Sequence, residues 1–94
     1  MTKAIWNGAV LADSNWCITV EGNNYFPPNS IKREYLTPSQ THTACAHIGL
    51  ASYYHLSVDG RTNKDAAWYY PTPKDEAHEV KDYVAFWKGV QIVR

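Results

Sequence analysis

Apolar positions in this chain fall in short runs of β character: Ala4 to Trp6, Val10 to Ala12, Cys17 to Glu21, Gly49 to Val58, Ala66 to Tyr70 and Ala85 to Val93. Each run is bounded by residues that break strands, and period-two alternation of apolar and polar positions marks a strand with one covered face. Asn7-Gly8 and Asp59-Gly60 are two-residue hairpin signals, because a type I′ turn needs positive φ at both central positions and Asn, Asp and Gly tolerate it. Gly22-Asn23-Asn24 marks a further break. One segment departs from the pattern. Thr72 as cap, Pro73 at the first helical position, Asp75 closing an approximate capping box, and Ala77, Val80 and Val84 on one face predict a helix of about three turns. Tyr25-Phe26-Pro27-Pro28 does not suit an interior strand, since proline donates no ladder hydrogen bond, and is expected at an edge or corner. Residues 1–94 therefore predict a single, mainly β domain of antiparallel sheets with one short helix.

The most informative pairing is the hairpin around Asp59-Gly60. With a two-residue turn, Val58 faces Arg61, Leu56 faces Asn63 and Tyr54 faces Asp65, while Tyr53, Ala51 and Gly49 face Ala66, Trp68 and Tyr70. One face then carries Tyr54, Leu56, Val58, Ala67 and Tyr69, a core pattern. The other carries Gly49, Ala51, Tyr53, His55, Lys64, Ala66, Trp68 and Tyr70. Its small residues leave volume between rings, and phenol and indole groups offer polar points around an apolar floor. Continuing the strand parity backwards adds Cys45 and His47 to this face. Two readings stand for it, an open ligand surface or the second half of a two-layer core. A one-residue bulge would exchange the faces.

Composition narrows the function. Nine Lys plus Arg balance nine Asp plus Glu, so there is no net field to draw nucleic acid or an anionic membrane. No apolar run reaches the roughly 20 residues of a membrane span, and none near Met1 resembles a secretory signal, so a cytoplasmic protein is expected. Cys17 and Cys45 belong to no C-x-x-C pair, and free thiols are the expectation in that compartment. Four Trp, seven Tyr and two Phe in 94 residues are the compositional excess that points to a gripping surface in addition to a core.

Three constellations carry candidate chemistry. Cys45 and His47, two residues apart on a presumed strand, pair a thiol with an imidazole able to activate it; the alternative is a structural thiol. His42, Cys45, His47 and His55 are zinc-type donors, but strand parity turns His42 away from the others and no metal site is expected. Arg33 offers a bidentate clamp for carboxylate or phosphate, against a structural pairing with Glu34 or another carboxylate. Neither a glycine-rich phosphate cradle nor an Asp-x-Asp motif accompanies it. His78 is expected on the solvated face of the helix, and Trp6, Trp16 and Trp87 in packing roles.

The strings Val20-Glu21-Gly22-Asn23-Asn24-Tyr25-Phe26-Pro27-Pro28, Arg33-Glu34-Tyr35-Leu36, Ala51-Ser52-Tyr53-Tyr54, Ala67-Trp68-Tyr69-Tyr70-Pro71 and Val84-Ala85-Phe86-Trp87 resemble the domain-of-unknown-function 427 family along nearly the whole chain. The resemblance implies a β-tent-like fold, two antiparallel sheets meeting at a steep angle, and carries a nucleotidyltransferase-like label that says little about chemistry by itself. Relatives of the β-tent include zinc-anchored modules with aromatic cages and cysteine-dependent methionine sulfoxide reductases. This chain lacks their two C-x-x-C knuckles, so their structural zinc is not expected. Cys45-Ala46-His47-Ile48-Gly49 keeps the family's cysteine and glycine there but not its proline, aromatic and lysine.

The expectation is a binding module that takes a small-molecule ligand in an aromatic cleft of Tyr53, Trp68 and Tyr70, with Arg33, Cys45 and His47 near it. No cofactor is implied. The rivals are a cysteine-dependent or redox enzyme using Cys45 with His47, and a protein-interaction module such as a homodimer joined through exposed aromatics.

Overall fold

The computed structural model describes residues 1–94. Nine strands, β1 (Thr2–Trp6), β2 (Ala9–Ser14), β3 (Ile18–Val20), β4 (Asn23–Tyr25), β5 (Leu36–Cys45), β6 (Gly49–Val58), β7 (Arg61–Tyr69), β8 (Val84–Phe86) and β9 (Gln91–Val93), build an almost wholly antiparallel β domain. By hydrogen bonding they form a three-stranded sheet β2-β1-β9, a β3-β4 hairpin and a four-stranded sheet β5-β6-β7-β8. The hairpin is joined to the larger sheet where Phe26 and Val84 exchange backbone bonds of 2.8 and 2.9 Å. No helix is long and apolar enough to cross a membrane.

Both expected hairpin turns form, with φ of 50° and 79° at Asn7-Gly8 and the same at Asp59-Gly60. The third sits one residue earlier than expected, on Glu21-Gly22, with φ of 51° and 81°. The run expected from Ala85 to Val93 is two strands: Lys88-Gly89 turns the chain, so β8 pairs with β7 while β9 crosses to β1. The expected α-helix is a 3₁₀ segment, Asp75–Val80, kinked at Ala77 and without a side-chain cap. Six residues are too few to repay helix nucleation, and Val84, counted on the helix face, is held in β8 by Tyr69 and Phe26.

The four-stranded sheet is covered on both faces. Leu56, Val58 and Ala67 on one face join Ala4, Leu11, Ala12, Phe26 and Ile31 in a core closed by the three-stranded sheet, with Tyr54 and Tyr69 packed at its margin. A bulge in β2 lets the consecutive residues Leu11 and Ala12 both enter that core. On the opposite face Ala51, Tyr70 and Ala85 join Tyr25, Ile48 and Val80 in a smaller core beneath the β3-β4 hairpin and the 3₁₀ segment.

The register of β6 with β7 slips by two relative to the expectation. Tyr54 pairs with Ala67 and Tyr53 with Trp68, while Leu56 still pairs with Asn63, so Lys64, Asp65 and Ala66 all lie opposite His55. An even insertion preserves parity, which is why the two faces survive although four of the pairs change. Ala66 is the exception: within the bulge it turns into the first core and does not line the second face. On the other side of β6 the edge strand β5 bulges at the same level, Pro38 pairing with Tyr54 and His42 with Ser52.

Candidate functional site: an aromatic cleft on the four-stranded sheet

The smaller core is not fully roofed, and a cleft of about 230 Å³ opens over it. Ile48 and Tyr70 contribute buried floor, Tyr25 a buried wall, and Tyr53, Trp68 and Trp87 the more exposed rings; Glu21 and Asn23 come from the β3-β4 turn region. The lower layer of this face is core and its upper layer is open.

Local structure positions each ring. Tyr53 and Trp68 are cross-strand partners on the same face. Tyr53 shares a 2.9 Å hydrogen bond with Thr43 Oγ1 of β5. Trp68 Nε1 donates to the Tyr25 hydroxyl at 3.2 Å, and the two rings stand perpendicular with centroids 6.1 Å apart. Trp87 meets Trp68 edge to face, 6.0 Å between centroids and 82° between planes, while its Nε1 donates to the Asp65 carbonyl at 2.6 Å. The ammonium of Lys88 lies 5.1 Å from the Trp87 ring centroid and donates to the Lys64 carbonyl.

Asp65 organises this region from the bulge. Its backbone has φ of 54°, its N–H donates to His55 Nδ1 at 3.0 Å, and its carboxylate accepts from Ser39 Oγ at 2.5 Å and Thr41 Oγ1 at 2.8 Å. One residue of β7 thus reaches across β6 to the bulge of β5. These hydroxyl bonds, Ser39 first, hold the Asp65 carboxyl below the usual carboxylate range. His55 Nδ1, which accepts the Asp65 amide, also lies 3.6 Å from the Asp65 carboxylate.

The two buried tyrosine hydroxyls of the cleft, those of Tyr25 and Tyr70, stay protonated. Burial is the main cause that raises Tyr70 well beyond the ordinary phenol range, and the neighbouring Tyr25 and Cys45 add to it; burial likewise raises Tyr25.

Of the residues singled out from sequence, Tyr53, Trp68 and Tyr70 come together here. Cys45 packs half-buried against the underlying core, beside Tyr70 and out of the lining. His47 does not continue β5: it lies exposed in the three-residue turn Ala46-His47-Ile48, and it is Ile48 that turns inward. The pairing of Cys45 with Gly49 closes that hairpin. Arg33 sits in the exposed 3₁₀ turn Arg33–Tyr35, donating to the Tyr54 hydroxyl and the Pro28 carbonyl at 3.2 Å each, and Tyr54 belongs to the opposite face of β6. His42, Cys45, His47 and His55 form no convergent ligand set.

Sequence reasoning missed Tyr25, Trp87, Ile48, Glu21 and Asn23 in the lining. Trp87, expected as packing, is half exposed at 47%. The strings that carry Tyr25 and Trp87 were already conspicuous, but only the link from Phe26 to Val84 brings them to this face.

The fold and cleft define a small antiparallel β domain with an aromatic pocket on one sheet. A sequence profile described as domain of unknown function (DUF427) matches residues 1–93, and the chain belongs to that family. Among curated proteins none matches the chain.

Proposed function

We propose that this protein is a binding module whose cleft takes a small ligand between Tyr53, Trp68, Tyr70 and Trp87. The observation that carries the reading is the mixed state of the second face: the sheet buries Ala51, Tyr70 and Ala85 yet leaves Tyr53, Trp68 and Trp87 around an open volume of about 230 Å³. Aromatic rings around a concave site are the usual means of holding a compact ligand. The volume lies below the roughly 300–1,000 Å³ of drug-sized sites, which favours a small molecule or one head group over a dinucleotide.

The enzymatic alternative has less to stand on. Cys45 and His47 share no hydrogen bond, and the turn takes His47 off the strand face that would align it. Arg33 is occupied by Tyr54 and Pro28.

A thermal-shift screen of metabolites on the wild type and on Trp87→Ala tests the reading. Trp87 is half exposed, so its truncation leaves both cores intact. A ligand at about 100 times its Kd stabilises by about 2.7 kcal/mol, which raises the melting temperature by roughly 10–20 °C in a domain of this size. Loss of that shift in Trp87→Ala supports the cleft; equal shifts in both proteins place binding elsewhere.

A further inference from the structure

We propose that the cleft is a cage for a methylated ammonium head group, a deepening that rests on the binding-module reading above. Three independent features of the lining lead there.

The first is ring orientation. Stacking a flat heterocycle between two rings needs parallel walls, whereas Trp68 stands at 90° to Tyr25 and at 82° to Trp87, and Tyr25 is tilted by 35° from Tyr70. Perpendicular rings make the corner of a box, which suits a compact, near-spherical group.

The second is how the polar handles are used. Trp68 Nε1 is committed to the Tyr25 hydroxyl, Trp87 Nε1 to the Asp65 carbonyl and the Tyr53 hydroxyl to Thr43. What these rings present to a ligand is π-face and edge. A quaternary ammonium group has no N–H to satisfy and is attracted by ring quadrupoles, the interaction for which aromatic cages serve.

The third is charge. Glu21 is the one ionisable group in the lining apart from the phenols, and no Lys, Arg or His lines the cleft. The cations nearby are tied down outside it: Lys88 to the Lys64 carbonyl while resting over Trp87, and Lys74 to the Ala46 carbonyl at 2.5 Å. Glu21 is also held at φ of 51°, a left-handed conformation that costs a residue other than Gly, Asn or Asp. The β3-β4 turn thus keeps a carboxylate at the cleft where Asn would form the same turn more easily.

The test is a titration of choline chloride against sodium chloride at equal ionic strength, following the four tryptophan indole N–H resonances. A parallel titration uses the neutral tert-butyl analogue, in which carbon replaces the ammonium nitrogen. Choline is expected to shift the Trp68 and Trp87 signals saturably and to bind at least about tenfold more tightly than the analogue. Glu21→Gln is expected to weaken choline about three- to tenfold and leave the analogue unchanged. A short peptide carrying one trimethyllysine distinguishes the source of the head group. Affinity like that of choline means the head group alone is read, and tighter binding assigns it to a protein tail. Equal affinity for choline and its neutral analogue would overturn the charge assignment while leaving a binding cleft. Silence from choline and peptide alike, with a metabolite hit in the thermal screen, would do the same. Silence in every assay, the screen included, would remove both readings.

Discussion

Trp87 donates its indole N–H to the backbone carbonyl of Asp65 at 2.6 Å, so the ring that closes the cleft is oriented by a residue whose side chain binds the far side of the sheet. Ser39 and Thr41 hold the carboxylate of the same residue, and His55 accepts its amide. The two bulges that flank β6 are thereby one structure, and the cleft inherits its shape from them.

Asp65→Asn keeps a residue tolerant of positive φ and removes the charge that Ser39 and Thr41 bind. It is expected to destabilise by about 1 kcal/mol, a modest figure because the carboxylate edge meets solvent. A carboxyl with a folded pKa below its unfolded value, roughly 3.9, stabilises at higher pH, and that contribution is lost as pH falls through the folded value. Denaturant melts from about pH 6 to about pH 2 should therefore show an acid decline that is shallower in Asp65→Asn.

The phenols predict the opposite limb. Tyr25, Tyr69 and Tyr70 are all raised, chiefly by burial. Their stabilisation is complete below the unfolded value of roughly 10 and is lost as pH climbs from there towards the folded values. The melting temperature should fall steeply above about pH 10, with phenolate absorbance from these residues appearing only as the protein unfolds. Tyr70→Phe should flatten that fall; an unchanged alkaline limb would show that Tyr70 ionises freely in the native state.

Glu21→Asn places a residue suited to positive φ before Gly22, whose φ is 81°. It is expected to stabilise the protein by about 0.5–1 kcal/mol in chemical denaturation. Because it removes the cleft's carboxylate, the same variant should lose cation affinity, a trade between stability and function.

Gly49→Ala meets two penalties at once. Gly49 has φ of 138°, and an added Cβ would lie 3.3 Å from the Thr72 carbonyl oxygen and 3.5 Å from Pro73 Cα. A loss of about 1–3 kcal/mol is expected. Since Ile48 accepts the Lys74 amide at 2.7 Å beside this contact, the indole spectrum should report disturbance at the cleft floor.

Much of this was legible in the sequence because it rests on local chemistry. Asn7-Gly8 and Asp59-Gly60 dictate their turns, and alternation along β6 separates Leu56 and Val58 from Ala51 and Tyr53. What escaped depends on long-range partners. β5 contains Pro38 and is mostly polar, Thr37 to Thr43, because it is an edge strand with little to bury. His47 was misplaced because nothing in Ala46-His47-Ile48 signals a turn; Gly49, at its positive φ, marks where the chain reverses. The double bulge was invisible since its stabilisation comes from Ser39 and Thr41, some 25 residues away from Asp65.

The central claim is that the rings around Trp68 form a ligand site and not merely a second core. The most direct measurement is the indole N–H spectrum of the protein, whose four tryptophans report four places, during titration with hits from the metabolite screen. Saturable shifts of Trp68 and Trp87, with Trp6 and Trp16 unmoved, are the predicted result. Ligands that shift the exposed Trp16 as much as Trp68, or that stabilise the protein while leaving both cleft indoles unmoved, would contradict it.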